Sequence, residues 1–483
     1  MSTPPSASRS PNSFIKALGL RDVVLMTVIA MVSPRWITRS AMLGAPALVL
    51  WLLAGLLFGI PLAMAVVALA RRYPEQGGLY PWTRRAFGPL HGFISGWCYW
   101  LSNLFFFPSI LLFAAANALT VFGDRAAGLA DSRAYTAAFV LAALWLCAAL
   151  NIVGLRAGRW LQQLGTLGMW IPVTLVIAAG AFAMTTGQSA TPFAPASLAP
   201  SGNTMSLLGL WSSLCFAFIG SEITTFMGEE VKDPIRTIPL GVTIAVGLTA
   251  VYYIVGTASI LVVLPAAALS ERTGIAEAVD LVAARLHLPM VGGLMGLLLA
   301  AGFLAIANSW TAGAARIPFA AGIDHAMPAS LARLHPRYRT PHVAIVVQAV
   351  VSSIMFLVSL FLTIAGTGTT VMEAYDILVG LAIIANLIPY LYLFAALMRL
   401  SGGNDRTRDH VVRVPGGRIG IVLVALSGLV ATIIAIVLTF VPPPGTENVA
   451  NYEANLFLQT GGVLAVGLAL YGFSKRRAGV PSS

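Results

Sequence analysis

Residues 32–41 read VSPRWITRSA, a stretch that interrupts an apolar run with one proline and two arginines, Arg35 and Arg39. Pro34 cannot donate a main-chain hydrogen bond, and its ring clashes with the preceding helical turn. Lipid offers no hydrogen bonds to a broken helix. The stretch is therefore either a loop between two membrane spans or the broken middle of one span that faces protein or water, and the choice decides the fold.

The composition is that of a polytopic membrane protein. Of 483 residues, 58% are hydrophobic and only 10% are charged, and the mean hydropathy is +0.85, which excludes an ordinary soluble domain. The net charge of +11 lies in short loops, so we interpret it as a topology signal and expect no nucleic-acid partner. Cys98, Cys147 and Cys215 all fall in apolar runs and are expected to be small core residues.

The apolar runs predict twelve membrane spans of about 20 residues each. They lie near residues 23–44, 47–70, 88–120, 135–152, 165–185, 205–228, 239–263, 289–314, 343–366, 375–397, 419–441 and 455–473.

With the N-terminus in the cytoplasm, the inner segments hold 23 Lys and Arg and the outer loops hold four. This asymmetry predicts that both termini are cytoplasmic in a multi-pass protein of the plasma membrane. It also places the quoted stretch inside the first span, because treating it as a loop would move the basic N-terminus outside. Arg35 then lies past the midplane, roughly 20 Å from the inner end.

The sixth span contains a second interruption, at Gly220, Ser221 and Glu222. Taken by itself, this stretch could be purely structural, with a glycine that packs against another helix and a carboxylate that has a local partner. However, the span runs inward, so the breaks in spans one and six lie at mirrored depths. Paired breaks in halves of opposite topology are typical of secondary transporters built from inverted repeats.

The predicted organisation is an all-α membrane protein with a 5+5 inverted repeat, broken helices 1 and 6, and two extra helices. Its segments are a partly disordered cytoplasmic N-terminus (1–22), the first repeat (23–185), an outer loop (186–204), the second repeat (205–397), spans 11 and 12 (419–473) and a cytoplasmic tail (474–483).

Three long motifs resemble the amino acid–polyamine–organocation (APC) superfamily. They are ARRYPEQGGLYPWTRRAFGPLHGFISGW (70–97), FAFIGSEITTFMGEEVKDPIRTIP (216–239) and ARLHPRYRTPHVAI (332–345). Their order and spacing extend the resemblance over nearly the whole chain. The resemblance implies transport of amino acids or related amines by alternating access, with proton coupling as one possibility and no cofactor or metal.

The resemblance also implies a substrate site between the two breaks. Its expected residues are Ser33, Pro34, Arg35, Trp36, Tyr99, Asn103, Phe216, Ala217, Phe218, Ile219, Gly220 and Trp310. Tyr99, Asn103 and Phe107 follow a helical spacing and would share one face, either in the core or in the cavity. Glu222 matches an acidic position that resembles the proton-sensitive glutamate of the arginine–agmatine antiporter, so it is the expected coupling residue together with Arg35.

The chain departs from the family pattern at two places. Ser33, Pro34 and Arg35 stand where the family usually has a glycine-rich break, and Met169 stands where some proton-coupled members carry a lysine. Three interpretations of Arg35 stay open: a cap for freed carbonyls, a fixed cation in place of that lysine or of sodium, or a ligand for a substrate carboxylate. Asn308 and Ser309 are weak evidence for a sodium site.

Other functional classes fit the sequence less well. Catalytic motifs such as HExxH, GxSxG or a P-loop are absent from the sequence, as are repeated filter loops of a channel. Residues 121–134, the predicted outer loop after span three, contain no cysteine, so a covalent heavy-chain partner is not expected. We expect the protein to be a monomer or a homodimer. The alternatives to a proton-coupled amino acid permease are an exchanger, a facilitated uniporter and a polyamine transporter.

Overall fold

The computed structural model describes residues 14–130, 132–200, 204–269, 274–275, 278–279, 281, 290–323, 326–361, 371–401, 414–440 and 449–477. The regular structure in these ranges is helical, and they contain no β-strand. Within them, one isolated parallel β-bridge pairs Leu18 with Val231.

The main helices follow one another along the chain with short connections. They are α1 (Leu20–Met31), α2 (Pro34–Ala41), α3 (Pro46–Arg72, with a π-helical turn at Gly55–Gly59), α4 (Leu79–Phe87), α5 (Pro89–Leu119), α6 (Arg133–Val153), α7 (Arg159–Thr185), α8 (Thr204–Phe216), α9 (Pro234–Val263), α10 (Met290–Ala314), α11 (Arg316–Ile323), α12 (His342–Phe361), α13 (Val371–Ser401), α14 (Gly417–Thr439) and α15 (Val449–Arg477).

Short helical segments lie at Thr120–Ala126, Ala127–Ala130, Pro195–Leu198, Ile223–Glu230, Ala266–Ala268 and Ala329–Ala332.

The protein is a multi-pass membrane protein. Within the described ranges, nine helical stretches are long and apolar enough to cross a bilayer, and they correspond to α3, α5, α6, α7, α9, α10, α12, α13 and α14. Large apolar side chains face outward on them; Leu56 is 60% exposed and Leu423 is 63% exposed. Such exposure suits contact with lipid rather than water. The predicted total of twelve spans stays a prediction, since the two broken helices are too short to be counted by length and α15 is not among the nine stretches.

The predicted break in the first span is confirmed. Helix α1 ends at Met31, Val32 and Ser33 are extended, and Pro34 is the first residue of α2. Proline suits this position because its fixed φ favours a helix start and its missing N–H would have no helical partner there. The sequence therefore ends one helix and begins another inside a single apolar run.

The second break is confirmed at Gly220. Helix α8 ends at Phe216, a turn follows, and a 3-10 segment runs over Ile223–Glu230. Gly220 has a φ of +112°, which side chains other than glycine's rarely permit. A Cβ atom added there would lie 3.0 Å from the Ala30 carbonyl oxygen and 3.2 Å from the Trp310 ring. The two breaks are therefore in direct contact, and Gly220 makes that approach possible.

Candidate functional site

A cavity lies between the two breaks and helices α5, α10 and α13. Its volume is about 510 Å³ including the space at its mouth. The described lining residues are Ala30, Met31, Ser33, Arg35, Trp36, Ser102, Asn103, Phe106, Ile110, Phe216, Ala217, Ile219, Ile306, Trp310, Ala382 and Asn386. Most are apolar, with a few convergent polar groups, as in sites for small molecules.

Two of the carbonyl groups at the first break are hydrogen-bonded to side chains from other helices. Trp310 Nε1 donates to the Ala30 carbonyl at 3.0 Å, and Tyr253 Oη donates to the Met31 carbonyl at 2.6 Å. Buried carbonyls need such partners. These two carbonyls therefore have side-chain partners other than Arg35.

Eight of the twelve predicted substrate-site residues line the cavity. They are Ser33, Arg35, Trp36, Asn103, Phe216, Ala217, Ile219 and Trp310. The Trp36 and Phe216 rings lie 5.9 Å apart, one from each break, and the Phe106 ring lies 5.4 Å from Trp310. Aromatic groups from both breaks and from α5 and α10 thus wall the cavity.

Four predicted residues lie outside the described lining. Pro34 starts α2, and Gly220 packs against the α1 backbone. Phe218 points away, with its ring 6.0 Å from Trp51, because successive side chains in an irregular turn do not follow helical spacing. Tyr99 is fully buried, and its ring lies 6.2 Å from that of Trp310.

Several lining residues were not predicted from the sequence. Phe106 lines the cavity in place of Phe107, so the cavity face of α5 is offset by one residue from the predicted stripe. Asn386 reaches the cavity from α13, where Ser102 Oγ lies 3.4 Å from its Oδ1. A polar residue inside an apolar span was the one signal that could have indicated Asn386.

The Glu222 carboxylate is surrounded by neutral hydrogen-bond donors. Its Oε1 accepts hydrogen bonds from Tyr99 Oη at 2.7 Å and from Tyr390 Oη at 2.6 Å. Its Oε2 accepts the Gly220 N–H at 3.1 Å. The side chain has no exposed surface. This cluster joins α5, α13 and the second break through a single carboxylate.

A second buried carboxylate, Glu230, lies at the other end of the same 3-10 segment. Arg316 approaches it with two nitrogens, Nε at 2.8 Å and Nη2 at 2.9 Å, and the Arg316 side chain is fully buried. Gln76 Nε2 adds a third hydrogen bond at 3.0 Å, while Gln76 Oε1 accepts the Glu229 N–H at 3.1 Å. The cluster ties the α3–α4 loop and α11 to the segment that follows the second break.

Met169, the residue aligned with the family's lysine, makes apolar contacts. Met169 is fully buried and packs closely on Gly302 of α10. Nearby, Ser309 Oγ donates to Gln162 Oε1 at 3.3 Å, and Asn151 Nδ2 donates to Asn308 Oδ1 at 3.0 Å. Asn308 and Ser309 are thus engaged in contacts within the protein.

The sequence profile of amino acid permeases matches residues 18–466. The chain belongs to this family. It is 27% identical over 445 residues to an uncharacterised transporter of Legionella pneumophila, a match that covers 91% of this chain and 93% of that protein. It is 23% identical over 411 residues to the glutamate/gamma-aminobutyrate antiporter of Lactococcus lactis, covering 84% and 79% respectively.

Among solved structures, MhsT in complex with L-phenylalanine has a similar fold, with a TM-score of 0.63 at 14% sequence identity. The similarity covers 89% of this chain and 100% of MhsT. The family match and the transporter relatives confirm the APC resemblance, and together with this fold they point to a membrane transporter.

Proposed function

We propose that this permease is a secondary active transporter that moves an amino acid across the plasma membrane by alternating access. The observation that carries the proposal is the cavity enclosed by the two helix breaks, with buried carboxylate clusters following the second break. Broken helices that meet around a mid-membrane cavity are the usual substrate site of such transporters.

The proposed layout has twelve spans, repeats at 23–185 and 205–397, and both termini in the cytoplasm. Each predicted span overlaps at least one of the helices α1 to α15, which supports the layout, and the asymmetry of Lys and Arg supports the orientation. Single cysteines at the exposed positions Gln188 and Lys232 test it, since the three native cysteines are buried. An impermeant maleimide should label Gln188→Cys on intact cells and leave Lys232→Cys unmodified. Equal labelling would contradict this orientation.

In this orientation the Glu222 and Glu230 clusters close the cytoplasmic side of the cavity. Opening that side requires Tyr99 and Tyr390 to separate from Glu222 and, further in, Arg316 to separate from Glu230. Protonation of Glu222 removes the charge that orients the two phenol groups, so it favours their release. Glu222 is therefore the proposed link between proton binding and inward opening.

The transport proposal is tested with purified protein in liposomes. Uptake of a panel of radiolabelled amino acids is measured with and without an inside-alkaline pH gradient, against protein-free liposomes. We expect at least one amino acid to accumulate and the gradient to increase its uptake. If no amino acid enters faster than into empty liposomes, the proposed function is wrong.

Exchange is the second candidate mechanism, supported by the Lactococcus lactis relative, whose name describes an antiporter. Liposomes preloaded with unlabelled amino acid distinguish the two mechanisms, because an obligatory exchanger takes up label only when preloaded. The cavity gives less support to a polyamine transporter, since its described lining has no Asp or Glu to bind several ammonium groups.

A further inference from the structure

The backbone at the first break offers few donors to a substrate anion. The Ser33 N–H donates to Tyr253 Oη at 3.2 Å, Pro34 has no N–H, and the Trp36 N–H donates to the Ser33 carbonyl at 3.1 Å. A helix start binds anions through N–H groups that point at the ligand. Because these three positions are occupied or lack a donor, we ask which side chains at the break can contact a carboxylate in this cavity.

Two side chains at the same break can supply those donors. Arg35 lines the cavity and is only 6% exposed. Its guanidinium carbon lies 4.2 Å from the Trp36 ring centroid and 5.4 Å from that of Phe113, so ring faces hold it in position. Ser33 also lines the cavity, and its buried Oγ has no hydrogen-bond partner among the described residues. Together they form a donor end of the cavity.

Asn103 forms an acceptor end in the same cavity. Its Nδ2 donates to the Tyr99 carbonyl at 2.7 Å, which fixes the orientation of the amide, since an oxygen there would face another oxygen. The remaining atom, Oδ1, is buried without a partner in the described part of the chain. Buried polar atoms normally have a partner, so an unsatisfied acceptor on a cavity wall indicates a ligand donor.

We infer that the Arg35 guanidinium, assisted by the Ser33 hydroxyl, binds the carboxylate of a zwitterionic amino acid while Asn103 Oδ1 accepts a hydrogen bond from its ammonium group. A side chain thereby acts as a carboxylate ligand at this break. The inference rests on the proposed function and narrows its substrate class. Amino acids are substrates, whereas amines and polyamines, which have no carboxylate, are not.

The test uses competition in liposomes with tritiated L-leucine, L-serine and L-arginine as probes, continuing with whichever is transported. Each is competed with itself, with its amide and with its decarboxylated amine: isoamylamine, ethanolamine or agmatine. We expect the wild-type protein to prefer the amino acid over both analogues by about tenfold to a hundredfold, the range for a hydrogen bond to a charged group. Analogues that compete as well as the amino acid would overturn the inference.

Variants then test whether Arg35 causes the preference for a substrate with a carboxylate. Arg35→Gln should remove most of the preference for the carboxylate, and Arg35→Lys should keep part of it, because lysine retains the charge and loses the planar fork. The matched control is Arg39→Gln, an exposed arginine one turn further along α2. A purely structural role would weaken amino acid, amide and amine alike. If Arg35→Gln keeps the wild-type preference, the inference is wrong while the transport proposal stands; if neither these probes nor any other amino acid of the panel is transported, both fail.

Discussion

Two buried carboxylates eight residues apart have opposite surroundings. Glu222 accepts hydrogen bonds from two phenol groups and one backbone N–H, all neutral, whereas Glu230 faces the guanidinium of Arg316. A buried carboxylate with a bidentate arginine has its charge compensated, while one held by neutral donors does not. The comparison suggests that the Glu230 cluster is mainly structural and that the Glu222 cluster can change state during transport.

The largest expected effect is on the Glu230 cluster. Glu230→Gln leaves the fully buried Arg316 without its counter-charge, so we expect a loss of about 3–5 kcal/mol in stability. Thermal unfolding of the detergent-solubilised protein measures it. The matched control is Glu229→Gln, which removes a charge from the exposed neighbour and should have little effect. Equal melting temperatures for the two variants would show that the ion pair is not structural.

A smaller effect is expected from removing one phenol of the Glu222 cluster. Tyr390→Phe deletes one hydrogen bond to the carboxylate, a loss of about 1.5–3 kcal/mol in the closed arrangement. Since this contact holds the inner side closed, the variant should leak substrate faster from loaded liposomes. Tyr392→Phe is the control, because that hydroxyl contacts His91 near the surface instead. Unchanged efflux in Tyr390→Phe would argue against a gating role.

Substitution of Gly220 should have a still smaller effect on stability. Gly220→Ala forces a side chain into a positive φ and against the Ala30 carbonyl, which should cost about 1–2 kcal/mol. Gly209→Ala lies in helix α8 with open space around the added Cβ and should be neutral or stabilising. Identical melting temperatures for Gly220→Ala and Gly209→Ala would show that the two breaks do not approach each other this closely.

The sequence was sufficient to predict features that depend on local chemistry. Pro34 and Gly220 each interrupt an apolar run, and both breaks occur where predicted. Glu222 is the expected coupling residue because it matches an acidic position of the family, and a carboxylate at that depth is also costly. The two breaks needed only the helical rise, the position of a span and the properties of one residue.

Features that depend on distant contacts could not be predicted. Tyr390 meets Glu222 from 168 residues along the chain, and nothing local separates it from other aromatic residues in apolar spans. Phe218 lies outside the described lining, because the turn after α8 has no helical periodicity. The offset of the α5 face from Phe107 to Phe106 depends on how α5 rotates against its neighbours, which hydrophobic spacing does not fix in an almost fully apolar helix.

Glu222→Gln tests the central claim most directly. Glutamine keeps the shape and an oxygen that can accept the phenol hydrogen bonds, but it cannot take up a proton. Amino acid uptake is measured in liposomes with and without an inside-alkaline pH gradient, with Glu229→Gln as the matched loss of charge. We predict that the gradient stimulates the wild type and Glu229→Gln, whereas Glu222→Gln still exchanges substrate without responding to the gradient. A Glu222→Gln variant that responds to the gradient like the wild type would contradict the account.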